Sequence, residues 1–180
     1  MPEGPEAEIC RRQLERWMAS ERVEEVVLSD PACIRHKRST HPKDAHPRGL
    51  EWLRDNVVGS RVVRVTRYGK RIGLDWGAVG LLIHLGMTGK WVRREDPTVR
   101  YARIQFRMES GSWVCFSDAR RFGGLVPVDS NLDAMLEEDL GPDEAEEAAR
   151  SAAILVVAQA FQSAGINDVY YALTKMIRSP

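Results

Sequence analysis

The most constraining feature of this sequence is a series of short period-two segments between residues 61 and 128. Apolar and polar residues alternate within them, and Gly, Asp and Pro separate them. The alternating apolar positions are Val63, Val65, Ile72, Leu74, Leu82, Ile104, Phe106, Val114 and Phe116. Successive side chains of a strand point to opposite faces of a sheet. The spacing therefore predicts antiparallel strands in a sandwich or barrel.

The segments before residue 61 and after residue 128 have a different pattern. Pro5 suits the first turn of a helix because its ring fixes φ. Helical spacing then predicts an amphipathic helix over roughly 5–19, on the apolar positions Cys10, Leu14, Trp17 and Met18. We also expect a strand over 23–28, a loop over 35–48, a short helix over 50–57, and helices over 143–162 and 168–177.

Together these elements predict an α+β protein. An N-terminal helix packs with an antiparallel β sandwich, and a short helical tail follows. We place the sandwich domain at 1–130 and a truncated or atypical tail at 131–180. With 43% apolar and 29% charged residues, the chain has the composition of a folded soluble protein.

Several classes of protein are excluded at this point. No apolar run approaches the ~18–20 residues of a membrane span, and the acidic, Pro-rich start is unlike a secretory signal. The three cysteines are odd in number and lack metal-ligand spacing. We therefore expect a cytoplasmic protein with no membrane contact, disulfide framework, metal or cofactor. The loop histidines, flanked by prolines, suggest a phosphate-facing or solvated loop rather than a metal site.

The formal net charge of zero hides an asymmetry. Residues 1–127 hold 23 Lys and Arg against 16 Asp and Glu, whereas residues 128–180 hold 3 against 10. Residues 35–71 alone hold 11 basic and 3 acidic residues. The first part thus has the charge to bind an anionic partner, and the alternative is a solvated surface whose charges are segregated by chance.

Pro2 is the first residue that can carry chemistry. Removal of Met1 would leave Pro2 with a free secondary amine, and an α-amino group has a pKa of ~7.7–8.0. Such an amine can attack a carbonyl carbon and form an iminium adduct. Glu3 and Glu6 lie close enough in sequence to transfer protons there. The alternative is an ordinary helix start whose carboxylates complement the helix dipole.

Three further segments join predicted strands. Lys70, within Arg67-Tyr68-Gly69-Lys70-Arg71, can contact phosphate or belong to a charged hairpin turn.

Met87, between two glycines, can project as an apolar wedge into DNA or fold into the core. The segment from Asp118 to Gly124 holds Arg120, Arg121 and Phe122, which can bind and stack on nucleic acid or form an Asp–Arg bridge over a core Phe.

In this order, the four segments resemble the formamidopyrimidine-DNA glycosylase and endonuclease VIII family of DNA repair enzymes. The opening Pro2-Glu3-Gly4-Pro5-Glu6 is slightly closer to the endonuclease VIII branch, and the Met87 and Arg120-Arg121-Phe122-Gly123 loops resemble the formamidopyrimidine branch. Tyr68-Gly69-Lys70 falls where the family has its catalytic lysine, and Leu140-Gly141-Pro142 matches a family marker. The resemblance covers about residues 1–142.

The resemblance implies a DNA glycosylase with abasic-site lyase activity that excises oxidised bases through an N-terminal proline Schiff base. Pro2 would attack the anomeric carbon of the sugar, while Glu3 and Glu6 serve proton transfer. Lys70 would contact phosphate and assist strand cleavage. The implied DNA-binding residues are Met87 and Phe122 as wedges, Arg120 toward the orphaned base, and Arg121.

Beyond residue 142 the chain departs from the family pattern. The family continues with a helix–two-turn–helix element and, in most members, a zinc finger, but no four-Cys finger occurs here. The segment 164–172 resembles the family's asparagine-bearing turn, which makes Asn167 a DNA-binding candidate. A strand that often begins with a DNA-binding His begins here with Val99-Arg100-Tyr101.

Three interpretations follow from this mismatch. In the first, the chain is a minimal glycosylase that acts alone, as a homodimer, or with a partner that supplies the missing clamp. Its substrate would be damaged or unusual duplex DNA, DNA ends or single strands. Alternatively, it is a catalytically impaired DNA-binding or accessory protein that recognises unusual or damaged DNA. The third interpretation is a truncated gene product.

Overall fold

The computed structural model describes residues 4–36, 42–129 and 132. The chain divides into two compact units, residues 1–138 and 139–180, and every described residue belongs to the first unit. The predicted helical tail, apart from Leu132, lies outside the described residues. So do three predicted site residues, Pro2, Glu3 and Asn167.

Two α-helices occur among the described residues. Helix α1 spans Gly4–Met18, close to the predicted 5–19, and turns one apolar face inward through Ala7, Cys10, Leu14 and Met18. Helix α2 spans Gly49–Asn56, also near its prediction, and buries Leu53. Two short 3₁₀ turns, Pro31–Cys33 and Pro42–Asp44, lie within or beside the segment predicted as a loop.

The described residues form eight strands in two antiparallel sheets. In chain order the strands are β1 Val23–Leu28, β2 Arg64–Tyr68, β3 Arg71–Asp75, β4 Gly80–His84, β5 Lys90–Arg94, β6 Ala102–Met108, β7 Trp113–Ser117 and β8 Gly124–Val128. One sheet has the order β1-β6-β7-β5, and the other has the order β2-β3-β4-β8. Every pairing between these strands is antiparallel, as the period-two pattern predicts.

The main hydrophobic core lies between the two sheets. Phe106 and Phe116 of the first sheet belong to the same buried cluster as Ile72, Leu74 and Ile83 of the second. All five side chains are fully buried, which removes their apolar surface from water. The predicted α+β class, with an N-terminal helix and an antiparallel β sandwich, is confirmed.

Helix α1 closes one open side of the sandwich. It packs against β2, an edge strand of one sheet, and against β5, an edge strand of the other. Covering a strand edge in this way protects its unpaired backbone groups. The turns at the ends of β2 and β4 consequently lie near the helix, and these are the turns on which the sequence places Lys70 and Met87.

No helix in the described part of the chain is long and apolar enough to cross a membrane.

Candidate active site

Lys70 lies on a tight turn at the exposed end of a hairpin. Tyr68 at the end of β2 pairs with Arg71 at the start of β3, so the turn consists only of Gly69 and Lys70. Gly69 has a positive φ of 54°. The Lys70 side chain is exposed and makes no hydrogen bond or ion pair with a described residue. The turn therefore presents an ammonium group to solvent, where it can meet a phosphate.

The Arg67 side chain lies near the first residue of helix α1 and also contacts the Lys70 turn. A Cβ placed on Gly4 would lie 4.0 Å from Nη1 of Arg67, and this same nitrogen donates a hydrogen bond to the carbonyl of Gly69. The residue that precedes the helix by two positions is Pro2. Helix α1 and the Lys70 turn therefore both contact Arg67, through Glu8 and through the carbonyl of Gly69, whereas Pro2 itself lies outside the described residues.

An ion-pair network fixes this neighbourhood. The Nε of Arg67 lies 3.0 Å from Oε2 of Glu8, which also binds Arg11 at 3.0 Å and Arg12 at 2.8 Å. Burial by itself would raise the pKa of Glu8, but hydrogen bonds from Arg11, Arg12 and Arg67 outweigh it and lower the pKa to about 2. Glu8 is therefore ionised at neutral pH and joins α1 to the β2–β3 hairpin.

Met87 projects from the loop between β4 and β5. Its side chain is 51% exposed, whereas Leu85, two residues earlier, is buried at 4%. The alternative in which Met87 folds into the core is therefore wrong. Met87 therefore presents an exposed apolar side chain on a short loop.

The Met87 loop packs directly on the loop that carries Phe122. Gly86 has a φ of 65°, and a Cβ on it would lie 2.6 Å from the carbonyl carbon of Phe122. Only glycine combines this conformation with so close an approach. The two loops therefore form one unit, which we call the wedge platform and define as residues 85–89 and 118–123.

Asp118 is the buried centre of the wedge platform. It is 1% exposed, and its carboxylate accepts hydrogen bonds from the Gly123 amide at 2.7 Å and the Arg120 amide at 3.2 Å. The Thr88 hydroxyl donates to the same carboxylate, which links the two loops. Phe122 is 40% exposed. The alternative that Phe122 is a core side chain is therefore wrong, and the Asp–Arg bridge that does form at this loop joins Arg121 to Asp30 rather than to Asp118.

The two arginines of the wedge platform have different surroundings. The guanidinium of Arg120 lies 4.8 Å from the centroid of the Phe122 ring, so these two side chains form one exposed surface. Arg121 has a φ of 61° and pairs with the buried carboxylate of Asp30, with Nε 2.8 Å from Oδ2. The structure thus puts Arg120 beside the wedge, whereas Arg121 anchors the loop to the end of β1.

Between α1 and the Met87 loop lies a cleft of about 460 Å³. Glu6 and Met87, both singled out from the sequence, line it, and sequence reasoning missed Ile9 and Gln13 on the helix side. Ile9 is 58% exposed and faces this space. A carboxylate, an amide and apolar side chains together suit a polar ring system that has both flat faces and hydrogen-bonding edges.

Sequence reasoning also missed Glu8, Asp30 and Arg35. Glu8, Arg11 and Arg12 are three and four residues apart, and this spacing was a readable signal for ion pairs on one helix face. Asp30 and Arg35 contact residues about ninety positions away, so no local pattern could have found them. Within the described ranges, no group of three His, Cys, Asp or Glu side chains could hold a metal ion.

Comparison with known proteins decides the family. The family model described as the formamidopyrimidine-DNA glycosylase N-terminal domain matches residues 1–125. The chain belongs to this family. Formamidopyrimidine-DNA glycosylase of Rhodococcus jostii is 36% identical over 141 residues, which cover 73% of this chain and 45% of the relative. The enzyme of Cereibacter sphaeroides is 33% identical over 161 residues, covering 79% and 51%.

Solved structures agree on the fold. A complex of the Lactococcus lactis Fpg with DNA containing an abasic site has a TM-score of 0.64 at 22% identity, covering 78% of this chain and 49% of that one. MutM bound to DNA containing carbocyclic 8-oxo-G has a TM-score of 0.63 at 22% identity, covering 76% and 48%. The chain therefore spans about half the length of the relatives that it matches.

Proposed function

We propose that the chain is a cytoplasmic DNA repair glycosylase with abasic-site lyase activity, which excises oxidised bases through Pro2. The observation that supports this proposal is the link from Glu8 of α1 through Arg67 to the carbonyl of Gly69 in the Lys70 turn. Family membership supports it, because relatives at 33–36% identity are formamidopyrimidine-DNA glycosylases.

The chemistry begins at the nitrogen of Pro2 after Met1 has been removed. Its lone pair forms a bond to C1′ of the damaged nucleotide while the bond from C1′ to the base breaks, and the base leaves with a proton. Opening of the sugar gives an iminium ion. Loss of the C2′ proton then breaks the C3′–O bond and nicks the strand, and water releases the proline. Glu3 and Glu6 serve these proton transfers.

Lys70 acts on the DNA backbone in this proposal. Its exposed ammonium group contacts the phosphate beside the lesion, which positions the sugar against Pro2 and stabilises the departing 3′ oxygen. The 11 basic residues between 35 and 71 add sequence-independent affinity by releasing counterions from DNA. Arg121, which is half exposed, and Asn167 remain proposed DNA contacts.

The wedge platform provides the means of holding a damaged duplex open. Expelling a nucleotide costs unstacking energy, and an apolar side chain that fills the gap offsets part of that cost. Met87 and Phe122 are exposed apolar side chains on loops fixed by Asp118, and Arg120 lies beside Phe122. The cleft beside Glu6 is the proposed binding space for the expelled nucleotide.

A duplex with one 8-oxoguanine tests the proposal. We expect the protein to release the oxidised base and nick the strand, and to leave the undamaged duplex intact. Pro2→Gly and Glu3→Gln should abolish nicking, and Lys70→Met should lower it by about tenfold or more. Arg94→Met, which removes an exposed cation on β5, is the control. Damaged duplex that stays intact with the wild-type protein would contradict the enzyme proposal.

A second candidate function is DNA binding without catalysis. Among the described residues, Asp118, Thr88 and the close approach of Gly86 to Phe122 hold the wedge platform without a contact from Lys70, which favours damage recognition that is separate from catalysis. In this case the wild-type protein prefers damaged duplex and releases no base. A homodimer or a partner protein would then hold the opposite face of the DNA, which sedimentation of the protein–DNA complex measures.

A further inference from the structure

Arg35 is the largest fully buried side chain among the described residues, with an exposed fraction of 1%. It follows the 3₁₀ turn Pro31–Cys33, and its backbone amide donates to the carbonyl of Leu125 at 2.8 Å. This contact joins the segment after β1 to the first residues of β8. A cation placed here loses its hydration, and the structure must compensate for that cost.

The hydrogen bonds that compensate for this lost hydration are made to the wedge platform. The Nη2 of Arg35 donates to the carbonyl of Arg121 at 3.2 Å and to the carbonyl of Gly123 at 3.1 Å. These two carbonyls flank Phe122. One side chain, more than eighty residues away in sequence, therefore binds the carbonyls of the two residues that flank Phe122.

The neighbouring backbone leaves room for this arrangement only because residue 124 is glycine. A Cβ on Gly124 would lie 2.8 Å from Nε and 3.0 Å from Cγ of Arg35. The Arg35 side chain thus lies directly against the backbone of Gly124, the first residue of β8. The backbone of Gly124 on one side and the carbonyls of Arg121 and Gly123 on the other fix the orientation of the Arg35 guanidinium.

The guanidinium of Arg35 is only partly paired. Its Nε and Nη1 are buried and have no hydrogen-bond partner among the described residues. Burial lowers the pKa of Arg35. Buried groups without partners are rare in native proteins and call for an explanation beyond stability.

A bound anion does not provide that explanation. The cavity that Arg35 lines beneath Phe122, together with Arg71 and His84, has a volume of about 10 Å³. That space holds roughly one water molecule and no phosphate or carboxylate ligand. The side-chain contacts that the guanidinium does make are those with the carbonyls of Arg121 and Gly123.

We infer that Arg35 is a positioning residue for the Phe122 wedge. Its buried guanidinium fixes the two carbonyls that flank Phe122, and so sets the direction in which the ring projects before DNA is bound. The inference rests on the proposed function, because Phe122 is taken as the side chain that enters damaged DNA. A wedge held in this way loses little conformational entropy on binding, which favours damaged over undamaged duplex.

Two measurements on the full chain test this inference with Arg35→Met and the charge-retaining Arg35→Lys. The first is hydrogen exchange of the amides of residues 119–124 in the free protein. The second is the ratio of Kd for undamaged duplex to Kd for duplex with an abasic-site analogue. Arg61→Met is the matched control, because Arg61 also donates to a backbone carbonyl, that of Ser20, but at an exposed site.

We expect Arg35→Met to speed exchange in residues 119–124 and to lower the Kd ratio, each by about tenfold, since two hydrogen bonds are lost. Arg35→Lys should recover part of both, and Arg61→Met should change neither. If circular dichroism shows that Arg35→Met does not fold, Arg35→Lys provides the test instead. It should then speed exchange and lower the Kd ratio, both by less than is expected for Arg35→Met.

A folded variant at position 35 that leaves exchange and the Kd ratio unchanged would overturn the inference. Faster exchange with an unchanged ratio would also overturn it, since the loop would then loosen without affecting recognition. If the wild-type protein itself shows no preference for the abasic analogue, the proposed function fails instead. Exchange in residues 119–124 then decides alone whether Arg35 fixes the loop.

Discussion

Glu8 of helix α1 and Arg67 of strand β2 form an ion pair, with Oε2 and Nε 3.0 Å apart, that ties the start of the helix to the hairpin carrying Lys70. The pair is only partly exposed, with 23% of the Glu8 side chain and 22% of the Arg67 side chain accessible. Such a pair orients two elements more strongly than one on the open surface does. It fixes helix α1 against the hairpin that carries Lys70.

Glu8→Gln should therefore affect both stability and strand nicking. Removing the charge leaves Arg11 and Arg67 without their shared carboxylate, and we expect the free energy of unfolding to fall by about 1–3 kcal/mol. Displacement of the Lys70 turn should lower the rate of nicking at an abasic site by about tenfold. Urea unfolding and single-turnover nicking measure the two effects.

Glu15→Gln is the matched control for Glu8→Gln. Glu15 also pairs with Arg11, but its side chain is 49% exposed. We expect a change in the free energy of unfolding of about 0.5 kcal/mol or less and an unchanged nicking rate. Equal effects of the two substitutions would mean that the contact with Arg67 has no special role.

The lowered pKa of Glu8 predicts how stability depends on pH. The folded state holds this pKa at about 2, below the ordinary value of 4.5. The resulting stabilisation is complete above pH 4.5 and is lost as pH falls toward 2, and it amounts to at most about 3 kcal/mol. Urea unfolding of the wild type between these two pH values should show a steeper decline than that of Glu8→Gln. Parallel profiles would count against the assigned network.

The wedge residues predict a selective loss of damage recognition. Met87→Ala and Phe122→Ala should each weaken binding to duplex with an abasic-site analogue by about tenfold, because stacked or inserted side chains contribute ~1–3 kcal/mol per base. Binding to undamaged duplex should change little. Val63→Ala, at a residue 60% exposed outside the wedge platform, is the control. Fluorescence anisotropy measures each Kd, and equal losses on both duplexes would argue against wedge insertion.

Gly86→Ala tests the contact between the two loops of the wedge platform. The substitution combines the strain of a φ of 65° with a clash 2.6 Å from the carbonyl carbon of Phe122. Gly111→Ala supplies the strain alone, since Gly111 has a φ of 83° and nothing within 4 Å of a Cβ. We expect Gly111→Ala to lower the free energy of unfolding by about 1 kcal/mol and Gly86→Ala to lower it clearly more. Only Gly86→Ala should lose the preference for duplex with an abasic site. If the two variants had the same free energy of unfolding and the same abasic-site preference, the two loops of the wedge platform would not depend on each other.

Most of the fold could be read from the sequence, because its determinants are local. Alternation between residues 61 and 128 specifies strands through the two faces of a sheet, and the apolar spacing from Cys10 to Met18 specifies one face of a helix. The antiparallel sandwich followed from these patterns. Which strands share a sheet did not, since the pairing of β1 with β6 depends on contacts between distant segments.

The candidate site was predictable in part for the same reason. Glycines around Met87 and after Phe122 mark loops, so the exposed wedge could be anticipated from neighbouring residues. The ion pair of Glu8 with Arg67 and the hold of Arg35 on the Phe122 loop join residues more than fifty positions apart. Only the folded chain brings such partners together.

Borohydride trapping tests the central claim most directly. Wild-type protein is incubated with duplex containing an abasic site and reduced, and the crosslinked peptide is mapped by mass spectrometry. We expect a covalent adduct on the Pro2 nitrogen, its disappearance in Pro2→Gly, and Met1 absent from the mature protein. DNA bound without any adduct, or a mature chain that still carries Met1, would contradict it.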